Sequence, residues 1–199
     1  SAFQETANEA ELDLIRISPY QDVEIDLEKV FVQLLTDTKY GRETQNKPAD
    51  LKTFGQMVAT VFRVLSREKL EAYQYTLATL EELQNRGARL FILSNAQRIF
   101  TQAEIELTGC ATFMEKIYIS SDYRIKKPEP EFLLGLMGEN QLNPAETVFV
   151  GNDLTSDIAI AQAVGIDGVL LNTFPYSPDE IFAYQEKGWD LTIINDIIE

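Results

Sequence analysis

The sequence has 199 residues, of which 45% are hydrophobic and 25% charged, so it is long enough for a core of its own and too apolar for a disordered chain. Its 17 Lys and Arg stand against 32 Asp and Glu, and a formal charge of −15 argues against nucleic acid or an anionic membrane as a partner. It has no histidine and one cysteine, which excludes imidazole catalysis, an internal disulfide and a cysteine-rich zinc site. We expect a cytoplasmic protein whose chemistry uses carboxylates, a lysine, hydroxyl groups or a metal held by oxygen.

The first 72 residues are predicted to be helical. The segment 3–15 is loosely amphipathic, and Asp26 is a candidate N-cap for a helix that follows it. Pro48 is placed to open a third helix. The apolar residues of this third helix are spaced as one stripe: Leu51, Phe54, Val58, Val61, Phe62 and Leu65.

From residue 73 onwards, short apolar runs alternate with helical patterns. Helices are predicted over 72–86, up to Leu107, after Pro130 and over 153–164. The runs predicted to be strands lie at 90–93, 117–119, 147–150 and 169–171, with 192–194 as a fifth candidate. Continuous apolar strands that alternate with helices indicate an α/β fold with a parallel sheet covered on both faces.

Polar residues follow three of these strands. Ligands of parallel sheets bind at the carboxyl ends of the strands, so a hydroxyl, a cation and several oxygen ligands are expected to converge there. The residues concerned are Ser94 and Asn95 after the first strand, Lys127 in the loop after the second, and Asn152, Asp153 and Asp157 after the third.

Each of these residues has a functional and a structural interpretation. The Ser94 hydroxyl can donate to a phosphoryl oxygen or cap the next helix, and Lys127 can neutralise a phosphate or be a solvated surface lysine. Asp153 and Asp157 are four positions apart at a helix start. They suit either a magnesium site, to which Asn152 can add a carbonyl oxygen, or simple complementarity to the helix dipole.

Three segments resemble motifs of the haloacid dehalogenase-like hydrolase superfamily, whose members are mostly magnesium-dependent phosphatases. Residues 91–95 (FILSN) resemble the second motif, an apolar strand that ends in Ser or Thr. Lys127, within KPEPEF, resembles the third-motif lysine, and 148–157 (VFVGNDLTSD) resembles the acidic fourth motif. The resemblance implies a Rossmann-like, doubly wound parallel sheet over 73–199 and a small all-helical cap over 1–72.

The resemblance also implies roles for the residues at the strand ends. Ser94, Asn95 and Lys127 are expected to bind the phosphoryl group, with Ser94 and Lys127 as catalytic residues. The expected ligands of Mg²⁺ are Asn152, Asp153 and Asp157. The fourth motif normally starts Gly-Asp, whereas Asn152 follows Gly151 here, so whether Asn152 or Asp153 binds the metal stays open.

The family's first motif has no counterpart in this sequence. That motif is an apolar strand ending in Asp-x-Asp, in which the first Asp is the nucleophile and the second is the general acid–base. No two Asp residues of this chain are two positions apart. We therefore expect the natural protein to carry the motif upstream of residue 1, and the chain as given to be inactive alone.

Three functions are compatible with these motifs. The leading hypothesis is a magnesium-dependent phosphatase of small phosphorylated metabolites that works through an aspartyl-phosphate, as a monomer or homodimer. The alternative is a catalytically inactive relative that serves as a binding or regulatory protein, which Asn152 and the missing first motif both favour. A 2-haloacid dehalogenase is a third hypothesis, disfavoured by the acidic residues retained in the fourth motif.

Overall fold

The computed structural model describes residues 27, 29, 32, 48–173, 176–189 and 191–197. The predicted helix over 3–15 lies outside these residues. The chain divides into two compact units, a first unit of residues 1–72 and 89–125 and a second of 73–88 and 126–199. The division into a cap over 1–72 and a core over 73–199 stays a prediction. Among the described helices, none is long and apolar enough to cross a membrane.

The strands are short and every pairing between them is parallel. Their bounds are β1 Phe91–Ser94, β2 Lys116–Ile119, β3 Val148–Gly151, β4 Asp167–Leu171 and β5 Leu191–Ile194. In the first unit β1 pairs with β2, and in the second unit the order is β3-β4-β5. The predicted α/β class is confirmed, and each of the five apolar runs forms a strand within a few residues of its expected place.

Helices occupy most of the connections between strands. Their bounds are α1 Pro48–Ser66, α2 Thr76–Asn85, α3 Arg98–Leu107, α4 Ser120–Tyr123, α5 Pro130–Asn140, α6 Ala159–Val164 and α7 Pro178–Gln185. A π-helical turn, Leu154–Ile158, leads into α6. Two of these helices, α4 and α7, were not predicted, and α7 begins with a capping box between Ser177 and Glu180.

The stripe predicted on α1 is only partly buried. Its residues Val61, Phe62 and Leu65 are more than half exposed, whereas the small residue Ala59 is fully buried. A polar contact links this helix to α3, because Arg63 and Arg67 both donate to the carboxylate of Glu104. The hydrogen bond from Arg63 is the main cause of the lowered pKa of Glu104. Partial burial acts to raise this pKa, but the hydrogen bond and the positive charge of Arg63 together outweigh it.

The second unit has a hydrophobic core beneath its sheet. The fully or nearly fully buried members of this cluster are Leu154, Ile158, Leu170 and Leu191, and the partly buried residues packed against them are Tyr176, Ile181, Tyr184, Trp189 and Ile193. Within this core the rings of Tyr184 and Trp189 lie 4.9 Å apart, whereas the nearby Phe182 is 57% exposed.

Candidate functional site

Lys127 and Asp157 form a buried ion pair in the second unit. The Lys127 Nζ donates a 2.6 Å hydrogen bond to Oδ1 of Asp157, which lies in the π-helical turn after β3. Each of the two side chains is only 9% exposed. A buried charge is costly unless it is paired, so each of these side chains depends on the other. The alternative of a solvated surface lysine at position 127 is therefore wrong.

The loop that follows β3 surrounds the other oxygen of Asp157. Oδ2 accepts hydrogen bonds from the backbone N–H groups of Asn152, at 2.9 Å, and Asp153, at 3.1 Å. A Cβ atom on Gly151 would lie 2.4 Å from the Asp157 side chain, so a residue without Cβ is needed for this approach. Asp157 thereby connects the Lys127 ammonium to the backbone at the carboxyl end of β3.

An aromatic ring also lies close to the Lys127 ammonium. The Nζ atom is 5.5 Å from the ring centroid of Phe149, which belongs to β3. The face of an aromatic ring attracts a cation, and a ring beside a buried ammonium keeps water away from it. Lys127 is thus a desolvated, oriented positive charge beside the strand end where ligands of parallel sheets bind.

Asp153 is the N-cap of the helical segment that begins at Leu154. Its Oδ1 accepts hydrogen bonds from the backbone N–H groups of Thr155, at 2.7 Å, and Ser156, at 2.9 Å, and from the Thr155 hydroxyl, at 2.7 Å. Partial burial acts to raise the pKa of Asp153, but these hydrogen bonds outweigh burial, and the pKa lies below its ordinary value of 3.8. Asp153 therefore stabilises the start of this helical segment, in line with the structural interpretation of a carboxylate at a helix start.

The oxygen atoms of Asn152, Asp153 and Asp157 show how a magnesium ion would fit this loop. Both oxygens of Asp157 are used by Lys127 and the loop amides, and Oδ1 of Asp153 is used in capping. Asn152 donates from Nδ2 to the Thr173 hydroxyl at 3.0 Å, so its Oδ1 and the Asp153 Oδ2 are the oxygens that these contacts leave over. Within the described ranges, no three Asp, Glu or Cys side chains cluster around a possible metal position. One amide and one carboxylate oxygen fit Mg²⁺ as an incomplete set, to which water and substrate phosphate add ligands.

Two hydrogen bonds of the site join residues that the sequence did not connect. The Tyr176 hydroxyl accepts a 3.3 Å hydrogen bond from the backbone N–H of Leu154, and the Thr173 hydroxyl accepts one from Nδ2 of Asn152. Burial raises the pKa of Tyr176. Tyr176 lies 22 positions from Leu154, so no local pattern connects the two.

Ser94 and Asn95 lie in the first unit. Ser94 ends β1 beside Ile119 of β2 and is partly buried, while Asn95 is exposed. The loop after β1 is joined to the residues after β2, because Ala96 N–H donates to the Ser120 hydroxyl at 2.8 Å and that hydroxyl donates to the Ala96 carbonyl at 3.1 Å. Of the six predicted site residues, the structure thus gathers Lys127, Asn152, Asp153 and Asp157 around one strand end of the second unit. Ser94 ends β1 in the first unit, and Asn95 follows it.

A family model described as haloacid dehalogenase-like hydrolase matches residues 2–171, which includes all three motifs. This chain belongs to the haloacid dehalogenase-like hydrolase family. The resemblance stated from the three motifs is confirmed, and with it the α/β fold. A solved structure agrees in fold: the 2-haloacid dehalogenase from Pseudomonas syringae pv. Tomato DC3000 superposes with a TM-score of 0.64 at 20% identity, over 97% of this chain and 76% of that one.

Curated relatives of this haloacid dehalogenase-like chain include phosphatases. A glyceraldehyde 3-phosphate phosphatase of Methanothermobacter thermautotrophicus is 27% identical over 64% of this chain and 56% of its own length. A phosphoglycolate phosphatase of Salmonella typhi is 29% identical over 63% of this chain and 49% of its own length. The chain thus spans about half the length of these relatives.

Proposed function

We propose that the natural protein is a cytoplasmic, magnesium-dependent phosphatase of small phosphorylated metabolites, active as a monomer or homodimer. The observation that carries the proposal is the buried Lys127–Asp157 pair, which the loop amides of Asn152 and Asp153 hold at the end of β3. The curated relatives that are phosphatases support the reaction class.

In the proposed reaction, Lys127 stabilises negative charge on the transferring phosphoryl group. Its ammonium is positioned before substrate arrives, and such preorganised charge in a water-poor site lowers the barrier more than a mobile surface lysine does. Asp157 is a positioning residue, because both its oxygens bind protein groups and its contacts orient Lys127 and the loop. The Ser94 hydroxyl would donate a further hydrogen bond to a phosphoryl oxygen.

Magnesium would offset the charge of the phosphoryl oxygens when it is bound. In this chain the Asn152 Oδ1 and the Asp153 Oδ2 would hold it, together with ligands from outside the described loop. Asn152 is neutral where the family has Asp, so we expect weaker binding of Mg²⁺ than at a site with an additional carboxylate.

The nucleophile of the proposed reaction belongs to the family's first motif. No Asp-x-Asp pair occurs in this sequence, so the proposal assigns the attacking aspartate to a segment upstream of residue 1. That carboxylate would attack phosphorus and displace the alcohol, and water would then hydrolyse the aspartyl-phosphate.

The test uses the natural protein with its upstream sequence. Hydrolysis of a panel of phosphorylated metabolites is measured with and without Mg²⁺ for the wild type, Lys127→Ala and, as a matched control, the neighbouring Lys126→Ala. We expect activity that requires Mg²⁺ and falls roughly 100-fold or more in Lys127→Ala but within about threefold of wild type in Lys126→Ala. The 199-residue chain alone is expected to be inactive.

Two outcomes would contradict the proposal. Hydrolysis of p-nitrophenyl phosphate by the 199-residue chain, dependent on Mg²⁺, would show that the nucleophile lies within it. Absence of an upstream Asp-x-Asp, together with an inactive natural protein, would favour the alternative of a binding or regulatory relative.

A further inference from the structure

The loop that follows β4 contacts the loop that follows β3 through two hydrogen bonds. Nδ2 of Asn152 donates to the Thr173 hydroxyl at 3.0 Å, and the backbone N–H of Leu154 donates to the Tyr176 hydroxyl at 3.3 Å. β3 and β4 are neighbouring parallel strands, so both loops leave the sheet at the same edge. All four residues belong to the second unit.

The loop after β4 is fixed by contacts of its own. The Thr173 backbone N–H donates to the Leu171 carbonyl at 2.7 Å, and the backbone N–H of Asn172 donates to the carbonyl of Ile194 in β5 at 2.8 Å. Oδ1 of Asn172 accepts a 3.2 Å hydrogen bond from the backbone N–H of Tyr176, which also packs against the hydrophobic core. The sheet and the core therefore set the position of Thr173.

The side chain of Asn152 has two ends that differ in chemistry. Its Oδ1 can bind a cation, whereas its Nδ2 carries two hydrogens and only donates. Half a turn about the Cβ–Cγ bond exchanges the two ends, so an unrestrained asparagine presents either of them to a ligand. The hydrogen bond to Thr173 engages Nδ2 and thereby leaves Oδ1 for a cation.

The residues that follow β3, 152–157, offer little negative charge to a cation. Lys127 neutralises the Asp157 carboxylate, and Asn152 is itself neutral. Asp153 therefore supplies the remaining negative charge of this loop. A hard cation bound with so little charge depends on oxygen atoms that are already correctly oriented.

From these observations we propose that Thr173 is a positioning residue, which turns the Asn152 amide so that Oδ1 rather than Nδ2 meets a divalent cation. The inference rests on the proposed function and deepens it, because it explains how a neutral amide can serve where the family has Asp. A carboxylate needs no such partner, since both of its ends are oxygens. Residues that orient a metal ligand through a hydrogen bond commonly contribute a factor of about 10–100 to metal affinity.

The experiment measures binding of Mn²⁺, a paramagnetic substitute for Mg²⁺, to the natural protein with its upstream sequence. Free Mn²⁺ is determined from its EPR signal without substrate, so the readout is independent of catalysis. Thr173→Val replaces the hydroxyl by a methyl group and is expected to weaken Mn²⁺ binding about tenfold. Thr173→Ser keeps the hydroxyl and should bind Mn²⁺ within about threefold of wild type.

Thr147→Val is the matched control. The Thr147 hydroxyl also makes a hydrogen bond, to the Asn143 carbonyl at 2.8 Å, but Thr147 precedes β3 and so lies at the opposite end of the strand. This variant should leave Mn²⁺ affinity unchanged. Thermal melts accompany every titration, and Thr173→Ala provides a second test of the lost hydroxyl.

Asn152→Asp distinguishes orientation of the side chain from general support of the loop. Aspartate presents oxygen at both ends, so adding Thr173→Val to Asn152→Asp should change Mn²⁺ affinity by less than about threefold. A Thr173 that merely supports the loop would instead give the same loss of affinity with Asn or Asp at position 152.

The outcomes for Thr173 and for the proposed function are separate. Wild-type affinity in Thr173→Val and Thr173→Ala, or an equal loss on adding Thr173→Val to the wild type and to Asn152→Asp, would overturn the role of Thr173 and leave the proposed function standing. If the wild-type protein binds no Mn²⁺, the proposed function fails and this inference fails with it.

Discussion

Gly151 lies so close to Asp157 that a Cβ atom on Gly151 would be 2.4 Å from the Cβ, Cγ and Oδ2 atoms of Asp157. This approach lets the backbone after β3 donate two hydrogen bonds to the carboxylate that also binds Lys127. The geometry of the candidate site therefore depends on the absence of one methyl group.

Replacing this glycine should disturb the site directly. Gly151→Ala is expected to lower the free energy of unfolding by about 1–3 kcal/mol, because the added methyl must displace the Asp157 side chain from a packed position. Urea unfolding measures the loss. The natural protein with Gly151→Ala should also lose phosphatase activity, because Lys127 loses its fixed partner.

Gly135→Ala is the matched control for this substitution. Gly135 lies inside α5, and a Cβ atom there would have no neighbour within 4 Å. Alanine should stabilise the chain by about 0.5–1 kcal/mol, since glycine is a poor helix former. Equal effects of the two substitutions would contradict the close approach of Gly151 to Asp157.

The Lys127–Asp157 pair should behave as one energetic unit. Lys127→Met leaves a buried carboxylate without its partner and is expected to cost about 3–5 kcal/mol of unfolding free energy. In the double variant Lys127→Met/Asp157→Asn that carboxylate is gone, so the loss should fall short of the sum of the single losses by roughly 1–3 kcal/mol.

Chemical denaturation of the four proteins in this cycle measures the coupling energy. Lys126→Met is the control, and it should cost far less because Lys126 is not part of the pair. Strictly additive losses for Lys127→Met and Asp157→Asn would rule out the pair as the structure describes it.

The capping carboxylate of Asp153 should make stability depend on pH at the acidic end. Its folded pKa is lowered, so the stabilisation is fully present above the ordinary value of 3.8 and is lost as the pH falls through the folded pKa. Asp153→Ala should cost about 1 kcal/mol at neutral pH through loss of the N-cap. Asp153→Asn keeps an acceptor for the cap and should retain most of the stability at neutral pH.

Thermal unfolding between about pH 2 and pH 7 separates the two contributions. The stability difference between wild type and Asp153→Asn should shrink as the pH falls below 3.8. A difference that does not change with pH in this range would argue against the depressed pKa of Asp153.

The Arg63–Glu104–Arg67 cluster should contribute a second acid-sensitive term in the first unit. The pKa of Glu104 is lowered, so its stabilisation is present above the ordinary value of 4.5 and is lost as the pH falls through the folded pKa. Glu104→Gln is expected to cost about 1 kcal/mol at neutral pH, since the Arg63 side chain is 44% exposed and solvent weakens its pairing with Glu104.

A denaturation series at several pH values checks this term, with Glu81→Gln on the exposed surface of α2 as the control. Glu81→Gln should leave stability unchanged within about 0.5 kcal/mol. If Glu104→Gln is as neutral as Glu81→Gln at pH 7, the cluster contributes nothing to folding.

The positions of the strands could be predicted because they depend on local chemistry. The apolar runs predicted at 90–93 and 147–150 lie within a residue of β1 and β3, since the strands of parallel α/β sheets are apolar along their length. Pro48 opens α1 and Asp153 caps the turn after β3 for equally local reasons. The prediction of an apolar stripe on α1 was less successful, because periodicity shows that one face of a helix is apolar but not how much of that face is covered by other residues.

The sequence by itself determined the fold class, the family and the identities of the polar residues at the strand ends. It described Lys127 and Asp157 separately, as a phosphate-binding cation and a metal ligand, because no local pattern relates residues 30 positions apart. Only the tertiary structure decided that they form one buried pair and that both Asp157 oxygens are engaged by protein groups. It also decided that Asn152 and Thr173, 21 positions apart along the chain, share a hydrogen bond. The physical reason is the same in each case, since residue types and short spacings are encoded locally whereas burial and long-range contacts arise only when the elements pack.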